Sequence, residues 1–162
     1  MKEKKEVYLS GAMGCYASDD PYPEKWREEV EKLINVPVIG DCQPGLECFN
    51  PTKFYNYGAR KEKTQREIML YEFQRIENES DILLVNLKDL NKSIGTSDEI
   101  LLAWRLNKPI IGFYEECPLE EELPDRIHPF KLCQISRIEC GAGALKRAVD
   151  YVREYYGKVK SR

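Results

Sequence analysis

Ser80-Asp81-Ile82-Leu83-Leu84-Val85-Asn86-Leu87 is followed by Ser93-Ile94-Gly95-Thr96-Ser97-Asp98-Glu99, then by Ile100-Leu101-Leu102-Ala103-Trp104, then by Lys108-Pro109-Ile110-Ile111-Gly112-Phe113. The runs 82–87 and 110–114 read as buried strands, because a strand covered on both faces shows a continuous rather than an alternating apolar pattern. Between them, a Gly/Thr loop over 88–97 and a helix over 98–106 complete a strand–helix–strand unit. Glu99 falls where that loop turns into the helix. Open parallel sheets bind ligands at the carboxyl ends of their strands, so an acid at this point is a candidate for chemistry.

Outward from this unit, strands and helices alternate. Val7-Tyr8-Leu9-Ser10 reads as the first strand, ended by Gly11 and Gly14, with a loop through Pro23. Trp26, Val30, Leu33 and Ile34 share one helical face. Val36-Pro37-Val38-Ile39 reads as a second strand, confined by Pro37 to an edge or a strand start. Residues 40–57 read as loop, punctuated by Pro44-Gly45 and Asn50-Pro51. A helix is predicted over 63–78, with Ile68, Phe73 and Ile76 inward and Lys63–Glu67 as a helical ion pair. The segment 115–125 is acidic and Pro-containing, so it reads as a surface loop. A fifth strand is predicted over 132–138 and a closing helix over 142–156, before a polar tail, Lys158 to Arg162. This order predicts an α/β fold: a flavodoxin-like (Rossmann-like) parallel sheet of about five strands with helices on both faces. No repeat or linker divides the chain, so 1–162 reads as a single domain.

The net charge of −3, from 25 basic and 28 acidic residues, gives no electrostatic case for nucleic-acid binding. It leaves room for a small phosphorylated ligand, which needs only local donors. No apolar run approaches the roughly 18 residues of a membrane span. The charged start, Met1-Lys2-Glu3-Lys4-Lys5-Glu6, does not read as a signal peptide, and the expected location is cytoplasmic. Cys15, Cys42, Cys48, Cys117, Cys133 and Cys140 form no C-x-x-C pair, and His128 is the only histidine. No metal site is therefore expected, nor any cofactor.

Three residue groups could carry chemistry. Glu99 follows a buried strand and precedes a helix whose apolar face must pack inward, which fixes the position of the acid. A carboxylate so placed can stabilise an oxocarbenium-like transition state or form a glycosyl ester. The alternative is that Asp98 and Glu99 merely favour the helix N-terminus. Gly11 and Gly14, beside Tyr8 and Ser10, permit close backbone approach, or form a plain strand-to-loop turn; Tyr8 is either a core aromatic or a hydroxyl donor to a carboxylate. Glu72 is either a solvated helix position or a second acid. Asn50-Pro51 and Phe54-Tyr55-Asn56-Tyr57 either wall a base pocket or pack as ordinary loop. Asp81 reads as structural.

Taken in order, Val7-Tyr8-Leu9-Ser10-Gly11, Asn50-Pro51, Ser80 to Leu87, Ser93 to Glu99 and Lys108-Pro109-Ile110-Ile111 resemble the nucleoside 2-deoxyribosyltransferase family over roughly 7–113. The resemblance implies a flavodoxin-like sheet, a homo-oligomer with sites near subunit contacts, and transfer of 2-deoxyribose between nucleobases through a covalent ester. It casts Glu99 as nucleophile, Tyr8 as the hydroxyl that orients it, and Glu72 in the place of an aspartate that handles the base and its proton. The deoxynucleoside or deoxynucleotide and the nucleobase are the implied partners, with Ser10, Gly11, Ser93, Gly95 and Thr96 around the substrate.

Ser93 stands where the transferases carry an aspartate, and in this it is similar to the related deoxynucleoside 5′-monophosphate N-glycosidases, which would place Ser10, Gly11 and Ser93 near a phosphate. The first loop, however, lacks the arginine of those hydrolases, and the C-terminal tail does not resemble the transferase terminus. Three functions follow as expectations: base exchange on 2′-deoxynucleosides, hydrolysis of deoxynucleoside monophosphates, or nucleotide binding without turnover.

Overall fold

The computed structural model describes residues 4–36, 45–54 and 64–157. Its centre is a five-stranded, all-parallel sheet: β1 (Lys5–Gly11), β2 (Leu46–Phe49), β3 (Ser80–Asn86), β4 (Ile110–Tyr114) and β5 (Arg137–Cys140), in the order β2-β1-β3-β4-β5. This is the flavodoxin-like doubly wound order, whose switch point lies between β1 and β3. Tyr8 pairs with Leu83, Leu9 with Leu84 and Gly11 with Asn86. On the β2 side, pairing stops at Tyr8–Phe49. Leu9, Ser10 and Gly11 thus run beyond the end of β2.

The connecting helices cover both faces, because each strand alternates its side chains between two apolar layers. On one face α1 (Tyr22–Asn35) and α7 (Ala144–Tyr156) pack on Val7, Leu9, Leu84, Ile111 and Phe113. On the other face, α3 (Gln65–Asn78) contributes Ile76, and α4 (Ile94–Arg105) contributes Ile100 and Ala103; these pack against Tyr8, Leu83, Val85 and Ile110. Three single-turn α-helices, α2 (Pro51–Phe54), α5 (Leu123–Arg126) and α6 (Pro129–Leu132), and two 3₁₀ turns, Leu90–Lys92 and Glu120–Glu122, complete the described elements. No described helix is long and apolar enough to cross a membrane.

The central strands lie where the apolar runs predict them, and the edges do not. Among the described residues the sheet's second strand is 46–49, inside the span expected to be loop; of the strand expected over 36–39, only Val36 is described. Val36 lies just past the end of α1, and residues 37–44 are outside the described residues. Leu46 and Phe49 are buried while Glu47 is exposed, so β2 shows the broken pattern of an edge strand and no apolar run. The fifth strand begins at Arg137, not at 132, because His128 and Pro129 start α6 there instead: the His128 ring accepts from the Phe130 amide and Pro129 occupies the first helical position. The first helix begins before Trp26, at Tyr22, with a proline in its first turn. The helix expected from Lys63 starts at Gln65, set by a reciprocal cap between Thr64 and Glu67. Lys63 itself, with Cys42, Tyr55, Asn56, Tyr57 and the tail 158–162, lies outside the described residues.

Two contacts fix the amino-terminal side of the sheet. Glu6, buried in β1, accepts from Arg75 and from the Ser80 hydroxyl (2.8 Å). The Lys108 ammonium donates to the carbonyls of Ile76, Glu77 and Ser80, so one cation satisfies the C-terminal end of α3 and ties it to β3. Lys108→Met is expected to lower stability by about 2–4 kcal/mol, since charge-assisted hydrogen bonds to part-buried carbonyls are lost together. Urea denaturation measures this, and an unchanged midpoint would refute the assignment.

Candidate active site

The period of two along β1 sends Tyr8 and Ser10 to the same face of the sheet. That face is covered by α3 and α4, and both side chains meet Glu99 there. The Tyr8 hydroxyl donates to one carboxylate oxygen of Glu99 at 2.8 Å, and the Ser10 hydroxyl donates to the other. Glu99 is only 6% exposed, so both oxygens are held by donors from one strand.

Glu99 is not at the start of its helix. α4 begins at Ile94, capped by Ser93, whose hydroxyl accepts from the Thr96 amide and pairs with the Thr96 hydroxyl at 2.8 Å. Gly95 and Thr96 therefore form the first helical turn rather than an open loop, and Glu99 sits in the second. The helix-terminus explanation for this acid loses force, because the dipole effect falls off within the first turn.

Glu72 projects from α3 into the same region. Burial, followed by the negative charge of Glu99, pushes its carboxyl up to about 8, against the opposing effect of Arg27. Burial likewise raises Glu99 above the usual carboxylate range, opposed by the Ser10 and Tyr8 hydrogen bonds and by Arg27. Tyr8 is raised well above its ordinary value by burial and by both carboxylates, so it stays a proton donor. Two acids in one field do not ionise together readily. The Tyr8 and Ser10 hydroxyls favour the charged form of Glu99, and that negative charge is one of the causes that raise Glu72.

Aromatic rings flank the pair. The Tyr8 and Phe49 rings lie 5.2 Å apart, and Tyr71 is 6.4 Å from Phe49. Next to Phe49, Asn50 is buried, and its side-chain carbonyl accepts from both the amide and the hydroxyl of Thr52. This fixes the amide orientation and leaves Asn50 Nδ2 as a buried donor without a partner. Across the carboxyl edge of β3, the β1–α1 loop is tied down twice. The Tyr16 hydroxyl donates to Asp89 at 2.7 Å, and Asn86 Nδ2 donates to the Tyr22 hydroxyl at 3.0 Å.

Of the residues singled out in the sequence, the structure brings Tyr8, Ser10, Glu72 and Glu99 together. Ser10 is turned to Glu99. Ser93 and Thr96 bond each other at the α4 cap. Gly95 is exposed in open space, as is Gly14. Gly11 is buried under α1: a Cβ there would lie 2.9 Å from the Trp26 ring and 3.2 Å from the Asn86 Cβ. Its role is close helix packing. Gly11→Ala is expected to cost about 1–3 kcal/mol by overpacking, read as a lower Tm; a neutral effect would show that Trp26 yields freely. Asp81, as expected, is structural and accepts from the Glu6 amide.

Arg27 is a site residue the sequence reading did not single out. It is 0% exposed and donates to the carbonyls of Leu9 (3.1 Å), Gly11 (2.9 Å) and Pro23 (2.6 Å). The available signal was its spacing: 27, 30 and 34 fall on the buried stripe of α1, where an arginine is out of place unless the fold uses it. Among the described residues, no group of three or more His, Cys, Asp or Glu side chains is arranged to hold a metal ion.

No protein-family model matches the chain, and no curated protein matches it. Among solved structures, it is similar to a conserved protein from Enterococcus faecalis V583, with a TM-score of 0.67 and 13% sequence identity over 93% of this chain and 98% of that one. At that identity the likeness carries the fold alone: a doubly wound parallel α/β sheet.

Proposed function

We propose that the protein breaks and remakes the N-glycosidic bond of 2′-deoxynucleosides, exchanging one base for another through an ester on Glu99. The observation that supports this best is the pairing of a buried carboxylate, held by Tyr8 and Ser10, with a second acid whose proton is retained to about pH 8.

A Glu99 oxygen attacks C1′ as the C1′–N bond breaks, and Glu72 gives its proton to the departing base nitrogen. The hydroxyls of Tyr8 and Ser10 keep the attacking oxygens aimed. An acceptor base then attacks C1′, the ester opens to restore the Glu99 carboxylate, and the proton lost by the acceptor nitrogen returns to Glu72. Both steps pass through oxocarbenium-like states that the carboxylate stabilises. The Phe49 and Tyr71 rings suit a planar base, and Asn50 Nδ2 suits an acceptor atom on the ligand. The exposed apolar side chains Met69 and Leu70 on α3, and Leu101 and Trp104 on α4, support the accompanying reading of a homo-oligomer.

The deciding experiment incubates the protein with a 2′-deoxynucleoside and a different free base, and separates the products by chromatography. Appearance of the second deoxynucleoside supports base exchange. Sugar phosphate released from a deoxynucleoside 5′-monophosphate without acceptor would replace it with the hydrolase reading. Binding with no cleavage of either substrate would replace it with a non-catalytic module.

A further inference from the structure

We propose that Arg27 is the positioning residue of this site: its guanidinium takes the place of the strand that β2 fails to supply, holds Ser10 against Glu99, and brings a buried positive charge to the end of the sheet where the acids meet.

The argument begins with the sheet. β1 continues through Leu9, Ser10 and Gly11 after β2 has ended opposite Tyr8. Backbone carbonyls at i and i+2 of a strand point to the same side, and buried ones need donors. Arg27 Nε donates to Leu9 and a terminal nitrogen to Gly11, the two carbonyls that bracket Ser10. The other terminal nitrogen donates to Pro23, so the fork also fastens the start of α1. The plane is backed by the Trp26 ring, 4.3 Å away. A planar group with fixed donors on both sides of one residue sets the path of that residue's backbone, and Ser10 carries the hydroxyl that reaches Glu99.

The same group brings a full positive charge into a buried region. Among the described residues, Tyr8 and Ser10 of β1 bond Glu99, Glu72 of α3 lies in the same field, and the charges of exposed Asp98 on its own helix and of Arg27 on α1 reach it. Of these charges, Asp98 disfavours ionisation of Glu99 and Arg27 favours it. Arg27 bears on both carboxyls and on Tyr8 in the same direction.

This inference deepens the proposed reaction, but its first test needs no turnover. Carboxyl carbons of ¹³C-labelled glutamate are followed by NMR against pH in the wild type, Arg27→Gln and Arg27→Lys, with Glu99→Gln and Glu72→Gln giving the assignments. Arg27→Gln, which keeps an amide donor and removes the charge, is expected to raise the Glu99 midpoint by about one pH unit or more. Arg27→Lys is expected to leave it in place. A Glu99 midpoint unmoved in Arg27→Gln, or moved equally in both variants, overturns the proposal.

The wild type supplies a check that requires no variant to fold: the Arg27 Nε resonance follows the carboxyl midpoints, and a resonance flat through both overturns the proposal. If base exchange is detected, its acid limb moves up in Arg27→Gln and is restored in Arg27→Lys. If no exchange is detected, the NMR result stands by itself, and only the reaction is lost.

Discussion

Glu99→Gln is expected to remove the proposed base exchange, by about 10⁴-fold or more, while the protein stays folded. The magnitude follows from the role: an amide cannot form the sugar ester, and losing a covalent nucleophile removes the route rather than weakening it. Retained folding follows from the surroundings. The amide keeps the shape of the carboxyl, its oxygen still accepts from Tyr8 or Ser10, and it does not carry the penalty that raises Glu99. Relief of a buried charge is often stabilising, so Tm is expected to stay level or rise. Circular dichroism and a product assay on one preparation measure both effects. Near-wild-type exchange in a folded Glu99→Gln protein would end the proposed chemistry.

Glu72→Gln is the second large effect. The departing base loses its proton donor, and exchange falls by about 10²–10⁴-fold. Under the proposed reaction, wild-type activity is expected to decline on the alkaline side as Glu72 loses its proton at about pH 8, and on the acid side as Glu99 is neutralised. Glu72→Gln loses the alkaline limb and keeps the acid one. Stability also changes, and its sign is fixed. Glu72 holds its proton to about 8 in the folded chain but has an ordinary value of 4.5. Between these limits the folded state binds more protons than the unfolded state, so stability is greatest below about 4.5 and falls as pH rises toward 8. Glu72→Gln flattens that slope, for a gain of about 1 kcal/mol or more at pH 8, or about 2–4 °C in Tm, and none at pH 4. Equal Tm differences at the two pH values would show that Glu72 titrates normally.

The parts legible in the sequence are those where one physical signal dominates. Ile82 to Leu87 and Ile110 to Phe113 are buried on both faces, so their apolar runs state their fate. Glu99 and Tyr8 were identifiable because a doubly wound sheet gathers its ligand groups at one edge, and a period of two would also have paired Ser10 with Tyr8. The edge strands were illegible: Glu47 in β2, and Arg137 and Glu139 in β5, interrupt segments that only the neighbouring strand makes into sheet. The start of α4 was misplaced because Gly95 is a poor helix former, while the cap that outweighs it is a single serine. Arg27 was overlooked because a charged side chain on a helix ordinarily points to water. Its reason for burial lies in the end of β2, which no local pattern shows.

The placement of Glu99 in the second turn of α4 has a practical outcome for redesign. Its carboxyl is anchored by a helix wedged against the sheet and by two hydroxyls on one central strand, none of which belongs to the loops of the rim. Loop segments such as the stretch between Gly14 and Pro21 are therefore expected to accept replacement while the Glu99 oxygens remain where they are.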